Sequence, residues 1–401
     1  LRILAPAIVF FSICGTTYSI LNAYKRFFIA SVADVLWKLC LIIAILVGIG
    51  WAGLDWQVIA FGLLAGGVLK LAVHLFGLRR EAKFIRPSFD INNPSLKEML
   101  LLILPLLLGG RFARIRQIYN DVTVLSTLAD PALIKANSFG RKLYLVVGAI
   151  APIPISIAAF PFFCELASGN RERMGNFLTR TCRMMLSVFI PLSFVCVVLS
   201  EPFSLLVLHA GKFTLHEARW SALSMACYVL VLPAQSLEYV LMKALFAEKR
   251  TASATAAGII FSLFSIMISY TGIVIFKAHG TQALVVVALG FVLARTLKVI
   301  TLAMLLQKNM PFLPWRETIL FLIRAIIAGI IAGGFAFAGM ALWRVSGIVL
   351  PSKIALLVQL IIGSGTAILG FFVGSRIMHL SEPFVMLNWT YTRVKKYFDR
   401  S

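Results

Sequence analysis

Residues 99–128 read MLLLILPLLLGGRFARIRQIYNDVTVLSTL, and the course of this stretch decides the topology of the whole chain. Its apolar first part, residues 99–110, is too short as a helix to cross a hydrocarbon core about 30 Å thick. It crosses a membrane only if the helix continues through the polar second part, which contains Arg111, Arg114, Arg116 and Asp121. If it did not cross, all the later basic loops would change sides.

The composition of the chain is that of a membrane protein. Of the 401 residues, 60% are hydrophobic and 13% are charged, compared with roughly 25% charged residues in soluble domains. The apolar runs are continuous and about 20 residues long, as transmembrane helices require, whereas the strands of a membrane β-barrel alternate over about 10 residues. We therefore expect an all-α polytopic membrane protein, folded as one compact bundle or as two abutting ones.

Hydropathy predicts eleven transmembrane spans. They cover, within a few residues, 1–21, 33–50, 57–78, 98–128, 134–162, 184–208, 220–246, 252–276, 281–306, 318–343 and 354–378. Pairs of glycines at small-x-x-x-small spacing favour close approach of helices; they are Gly62/Gly66, Gly329/Gly333 and Gly370/Gly374.

Lysine and arginine gather in alternate connections. The chain carries 38 Lys and Arg against 16 Asp and Glu, a net charge of +22. Basic loops mark the cytoplasmic side of a membrane, which places the C-terminus in the cytoplasm and residue 1 outside. We accordingly expect an odd number of helices before residue 1. Topology and anionic headgroups explain the charge without nucleic acid, and residues 381–401 are predicted to form an amphipathic helix on the inner leaflet.

The arginines of the fourth span have to face protein or water, because each costs about 2.5–3.5 kcal/mol at a helix centre. At 100° per residue, Arg111, Arg114, Gln117 and Asp121 lie on one flank of the helix, and Arg116 and Asn120 on another. A tight turn at Asp130-Pro131 makes the next helix an antiparallel neighbour, with Arg141 and Lys142 at a similar depth. Guanidinium and ammonium groups in this number favour a phosphate or pyrophosphate site. The alternative is that Asp121 pairs with one arginine while the other cations extend to the outer headgroups.

Other ionisable residues give weaker indications. Asp34 and Lys38 are predicted to pair as residues four apart on one helix. Glu238, with Gln235, is either satisfied by a neighbouring helix or a proton or ion site. The histidines and six cysteines have no metal-ligand spacing, and no nucleotide or nucleophile motif occurs. We expect no metal, no cofactor and no enzymatic activity.

Several stretches resemble the MurJ/MviN family of lipid II flippases, which belongs to the multidrug/oligosaccharidyl-lipid/polysaccharide exporter superfamily. They are LRILAPAIVFF (1–11), LNAYKRF (21–27), FPFFCELASGN (160–170), HAGKFTLHEA (209–218) and ALFAEKRTAS (244–253). The resemblance extends from residue 1 to about residue 260. Family members have fourteen helices in two lobes, so eleven spans beginning outside match a copy without its first three helices.

The resemblance implies flipping of an undecaprenyl-pyrophosphate-linked precursor, foremost lipid II for peptidoglycan synthesis, across the bacterial inner membrane by alternating access. A family motif, Ala-Asp-Arg at the start of the eighth helix, aligns with Gly140, Arg141 and Lys142, so its cation is kept as Lys142 and its acidic residue is replaced by Arg141. The polar faces of the fourth and fifth spans provide the candidate substrate-binding residues, of which the family motif covers only the last two. They are Arg111, Arg114, Arg116, Gln117, Asn120, Asp121, Arg141 and Lys142. The replaced acidic residue leaves the identity of the lipid-linked glycan open.

The resemblance also suggests a division of the chain. Residues 1–95 correspond to the last three helices of the first lobe, 96–310 to the second six-helix lobe, and 311–401 to two accessory helices and a basic cytoplasmic tail. We expect a monomer in contact with anionic headgroups. The alternative functions are export of O-antigen, capsule or exopolysaccharide repeats, antiport of cationic drugs, a membrane-embedded glycosyl- or acyltransferase, and a non-transporting scaffold.

Overall fold

The computed structural model describes residues 4–51, 53, 57–81, 94–120, 126, 130–149, 152–167, 171–209, 213–308, 310, 312–345 and 351–384. Within these residues all regular secondary structure is helical, which confirms the all-α class. Two compact units are formed: unit 1 is Leu1–Leu96 with Ile157–Phe162, and unit 2 is Lys97–Ser156 with Phe163–Ser401. The division into 1–95, 96–310 and 311–401 stays a prediction.

Unit 1 consists of three long helices. They are α1 (Ala5–Ala23), α2 (Phe27–Ile43), which continues into a π-helical segment (Ala44–Trp51), and α3 (Gln57–Gly77). Both α1 and α2 pack against α3. The predicted pair Asp34–Lys38 is wrong: Asp34 accepts a hydrogen bond from Lys70 on α3 at 2.5 Å. The neighbouring helix offers a cation inside the unit, and the pair across helices replaces the pair along one helix.

Unit 2 contains the remaining helices. They are α4 (Pro94–Ile118), α5 (Pro131–Ala149), α6 (Pro152–Ala167, whose middle belongs to unit 1), α7 (Arg171–Leu208), α8 (Leu215–Val229), α9 (Leu232–Ala247), α10 (Thr251–Tyr270) with a π-helical segment (Thr271–Ile275), α11 (Thr281–Gln307), α12 (Trp315–Val345) and α13 (Ser352–Ile377). The closest helix pairs are α12 with α13, α5 with α8, and α7 with α12.

The described part of the chain has 8 helices that are long and apolar enough to cross a membrane, or up to 10 if two bent pairs each form one span. One bent pair is α8 with α9, which meet at 47°, where Pro233 lies in the first turn of α9. The polytopic class is thereby confirmed. The one remaining predicted span, the fourth, is α4, which fails this apolar test because of its charges. Its 25 residues correspond to about 37 Å of helix at 1.5 Å per residue, so length does not prevent it from crossing.

The basic stretch 171–183, expected as a connection, is the first part of the 38-residue helix α7. Its buried residues Met174, Leu178, Thr181 and Met185 recur three or four residues apart, which is the spacing of a helix face. Arg180 and Arg183 lie between them. The predicted tail helix at 381–401 falls outside the described residues from 385 onwards.

The predicted glycine pairs lie at helix contacts. A Cβ at Gly66 would approach the Trp37 carbonyl oxygen at 2.8 Å, one at Gly329 would approach the Phe194 ring at 2.7 Å, and one at Gly370 would approach Phe335 at 2.6 Å. A methyl group at such distances would force the helices apart. These glycines therefore serve packing, as predicted.

An internal repeat relates α1, α2 and α3 to α9, α10 and α11. The sequences LNAYKR (21–26) and LFAEKR (245–250) end α1 and α9, and both lysines have a positive φ, 58° and 59°. In each copy the arginine side chain donates to a carbonyl oxygen at the end of the third helix, Arg26 to Gly77 and Arg250 to Leu305. Equivalent residues of the two copies differ in residue number by 224 in the first two helices and by 228 in the third.

Glycine contacts support the same equivalence. A Cβ at Gly48 would meet Val58 at 2.3 Å, and one at the equivalent Gly272 would meet the equivalent Val286 at 2.4 Å. Both copies also follow their second helix with a π-helical segment. The repeat thus holds in backbone turns, caps and close contacts, and it allows positions in the two copies to be compared.

Candidate functional site

Three aromatic rings from α5, α8 and α11 form the base of a polar cluster in unit 2. Tyr144 and Tyr228 stack with ring centroids 5.4 Å apart, and Phe291 meets Tyr228 edge to face at 5.7 Å. The Tyr228 hydroxyl donates to Asn137 Oδ1 at 3.0 Å. All four side chains are buried, so the rings are held rigidly between helices.

Two arginines lie against the Phe291 ring. The guanidinium carbon of Arg116, on α4, is 4.6 Å from the ring centroid, and that of Arg295, on α11, is 5.5 Å from it. Cations over aromatic faces are stabilised by the ring quadrupole. Arg116 lies within electrostatic range of both Arg295 and Arg141, the latter on α5, which makes the cluster electropositive. Arg116 and Arg141 are both half-buried.

Glu238 on α9 connects this cluster to a second cation. It accepts a hydrogen bond from Arg295 Nε and one from Lys298 Nζ, the latter at 2.7 Å. The three side chains are 12%, 17% and 14% exposed. The interpretation of Glu238 as a residue satisfied by a neighbouring helix is confirmed. We define the arginine–aromatic cluster as Arg116, Arg141, Arg295, Tyr144, Tyr228 and Phe291.

The predicted site residues occupy different environments. Arg116 and Arg141 belong to the arginine–aromatic cluster. Gln117 is half-buried, and Asn120 is buried with its Nδ2 3.4 Å from Ser265 Oγ on α10. Arg111, Arg114 and Lys142 are exposed, with Lys142 Nζ 4.8 Å from the centre of the Phe139 ring one helical turn away. Asp121 lies outside the described residues. Their roles in binding a substrate stay predictions.

The sequence interpretation missed Arg295 and Lys298. Both lie inside the apolar run of α11, so the cost of a charge in a membrane helix applies to them as it does to Arg116. Glu238 in α9 is the matching anion. A search for intramembrane cations in every span, and not just in the fourth span with its short apolar part, would have found both residues. Among the described residues, no group of three or more His, Cys, Asp or Glu side chains could hold a metal ion.

Comparison with known proteins places this chain in a family. The family model for the lipid II flippase MurJ matches residues 1–358. The probable lipid II flippase MurJ of Borreliella burgdorferi is 26% identical over 278 residues, which cover 69% of this chain and 54% of the relative. The lipid II flippase MurJ of Burkholderia cenocepacia is 22% identical over 253 residues, 62% of this chain and 49% of the relative.

A solved structure shows the same fold. It is a lipid II flippase MurJ in an inward closed conformation, with a TM-score of 0.62 and 19% identity, covering 94% of this chain and 74% of that structure. The chain spans about half the length of the curated relatives it matches. Because the family model matches most of the chain, the chain is a multi-pass bacterial membrane protein that belongs to the MurJ family of lipid II flippases.

Proposed function

We propose that this protein takes part in flipping lipid II, an undecaprenyl-pyrophosphate-linked glycan, across the bacterial inner membrane. Family membership is the observation that carries the proposal. The relatives are named as flippases of that lipid, and the family consists of transporters. No reaction on the substrate is proposed.

The arginine–aromatic cluster supports an anionic, sugar-bearing substrate. Among the described residues, four cationic side chains are accompanied by one carboxylate, Glu238; the cations are Arg116, Arg141, Arg295 and Lys298. The surplus of positive charge calls for a counter-anion in a region of low dielectric constant. Guanidinium groups bind phosphate oxygens in bidentate fashion, and the neighbouring Tyr and Phe faces suit the apolar face of a sugar ring.

The predicted residues outside this cluster extend the proposal along α4 and α5. Arg111, Arg114 and Lys142 are exposed in unit 2, where they are available to a headgroup that approaches from water. Arg116 and Arg141 would then bind the pyrophosphate deeper in the unit. We propose alternating access as the transport mode, a monomer as the working form, and a cytoplasmic C-terminus, in agreement with the distribution of lysine and arginine.

Genetic replacement tests the proposal. The native gene product is expressed in a bacterium depleted of its own lipid II flippase, and lipid II exposed on the outer face is measured with an added hydrolase that cleaves the pyrophosphate. Growth together with exposed lipid II is the expected result. Restoration of O-antigen or capsule export in a strain lacking that exporter, without rescue of the lipid II flippase, would instead identify the substrate as a different lipid-linked glycan.

An inactive control distinguishes transport from scaffolding. The variant Arg116→Ala/Arg141→Ala is compared at equal amounts of protein in the membrane. Because it removes two cations of the cluster and leaves the rings in place, it is expected to insert normally and to leave lipid II unexposed. Full growth with this variant would contradict the assignment of the cluster as the binding site.

A further inference from the structure

The two copies of the internal repeat differ at four positions that lie close together in unit 2. Phe11, Cys14 and Gly15 of α1 correspond to polar residues of α9, and Gly67 of α3 corresponds to a cation of α11. The four replacements, in the same order, are Gln235, Glu238, Tyr239 and Arg295. A region that is apolar or small in unit 1 is therefore polar in unit 2.

Unit 1 has no room for a side chain at the position of Arg295. A Cβ at Gly67 would lie 3.3 Å from the Phe11 ring, and Cys14 Sγ is 3.9 Å from the Gly67 carbonyl oxygen. Phe11 packs edge to face on Trp37, with centroids 5.3 Å apart. These contacts seal the gap between α1 and α3 with apolar groups.

Unit 2 opens the same gap and fills it with polar groups. Gln235, which replaces Phe11, is 1% exposed; its Nε2 lies 3.3 Å from the Tyr239 hydroxyl, and its Oε1 has no hydrogen-bond partner among the described residues. Arg295 occupies the position of Gly67 and reaches Glu238 and the Phe291 ring. A buried acceptor without a donor is costly, and a bound molecule that carries hydroxyl or amide donors would satisfy it.

In this region of the two copies, one lysine is shared. Lys70 in α3 and Lys298 in α11 are equivalent, and each is paired with a carboxylate: Lys70 with Asp34 at 2.5 Å and Lys298 with Glu238 at 2.7 Å. The carboxylates come from different helices of the repeat. The position equivalent to Asp34 in unit 2 is Gly258, whose added Cβ would lie 3.4 Å from Lys298 Nζ. An aspartate at 258 could therefore replace Glu238 as the partner of Lys298, but it would leave Arg295 without that contact.

We propose that Arg295 is an anion-binding residue that unit 2 carries in addition to the repeated lysine–carboxylate pair, and that Glu238 positions it. Its ligand is a phosphate or pyrophosphate ester whose attached group offers hydrogen-bond donors to Gln235. This assignment rests on the proposed function for the identity of the natural ligand. The carboxylate that pairs with the shared lysine lies on the second helix of the repeat in unit 1 and on the first helix, α9, in unit 2. From α9, Glu238 contacts both Lys298 and Arg295.

The repeat provides the experiment. Three variants of the native gene product are purified in detergent: Glu238→Ala/Gly258→Asp, which keeps a partner for Lys298 alone; Arg295→Met, which keeps the Glu238–Lys298 pair; and Asp34→Ala/Lys70→Met, the matched control that removes the equivalent pair from unit 1. Melting temperature, lipid II binding and competition by inorganic pyrophosphate are measured for each. Neutral replacement of both partners of a buried ion pair is often tolerated, so the control is expected to bind as the wild type does.

Arg295→Met is expected to melt near the wild-type temperature, whereas Glu238→Ala/Gly258→Asp is expected to melt at a lower temperature because it leaves Arg295 without its carboxylate partner. Both variants are expected to bind lipid II at least tenfold more weakly and to lose most of the competition by pyrophosphate. Wild-type affinity and competition in Arg295→Met would overturn the assignment of Arg295. Wild-type affinity in Glu238→Ala/Gly258→Asp would overturn the positioning role of Glu238. If this variant fails to fold, Arg295→Lys decides, since it should weaken binding by losing the hydrogen bond that Arg295 Nε donates to Glu238, although the charge stays. If the wild type binds pyrophosphate through Arg295 but neither binds nor flips lipid II, the proposed function fails and this assignment stands.

Discussion

Replacement of Glu238 by alanine should destabilise the protein far more than replacement of Asp34, its counterpart in the repeat. Glu238→Ala leaves two cations behind, Arg295 and Lys298, which are 17% and 14% exposed. Breaking a buried ion pair by removing one partner costs about 3–5 kcal/mol, because the remaining charge is not compensated. Asp34 leaves only Lys70 behind, and its own side chain is 37% exposed. Water therefore screens that pair, and we expect a cost of about 1–2 kcal/mol.

The free energy of unfolding is measured by reversible denaturation in mixed micelles for wild type, Glu238→Ala and Asp34→Ala. Addition of Lys298→Met to Glu238→Ala removes one of the two orphaned cations and should recover about half of the lost stability. Equal costs for the two single variants, or no recovery in the double variant, would show that the charges of Arg295 and Lys298 reach water when Glu238 is absent, and would refute the reasoning from burial.

Three more predictions concern the site and the packing of unit 2. Reversal of two exposed cations in Arg114→Glu/Lys142→Glu should abolish lipid II export with normal insertion, since it turns the approach to an anion from attractive to repulsive; export at the wild-type rate would remove these residues from the site. Tyr228→Phe deletes the hydrogen bond to Asn137 at 3.0 Å and should cost about 1 kcal/mol of stability with little loss of binding, as measured by melting and by lipid II titration. Gly290→Leu should lower the melting temperature strongly, because a Cβ there already lies 2.9 Å from Ile268; an unchanged melting curve would contradict the close α10–α11 contact.

Much of the fold follows from the sequence because apolar length is a strong signal in membrane helices. The boundaries followed less well. Helix α7 begins at Arg171 because a buried stripe from Met174 to Met185 continues its helical periodicity beyond the apolar run. Hydropathy averages over all faces of a helix and therefore misses a stripe of this kind.

The site could be predicted in part, for a physical reason. Arg116 and Arg141 were identified by the cost of charge in a membrane, which is a property of single residues. The partner of Asp34 was predicted wrongly because two lysines are candidates for an ion pair with its carboxylate, Lys38 on the same helix and Lys70 on α3. Sequence spacing predicts pairs along one helix but not pairs between helices. Arg295 was missed because helix α11 is so apolar that hydropathy alone classifies it as a span. The charged residues inside α11 were therefore not considered one by one.

The repeat distinguishes residues that are needed to build the three-helix fold from residues that are needed for function. Features present in both copies, such as the arginine caps at Arg26 and Arg250, have the same contacts in unit 1, where the described residues form no counterpart of the arginine–aromatic cluster. Their role is therefore structural. Features present in only one copy are not required for folding, because the other copy folds without them. Arg295 belongs to this second class, and it is placed against the same ring as Arg116 from a helix unrelated to α4 in the repeat. A fold does not need two guanidinium groups brought together on one phenylalanine, since like charges repel, and an anionic ligand supplies the reason for their arrangement.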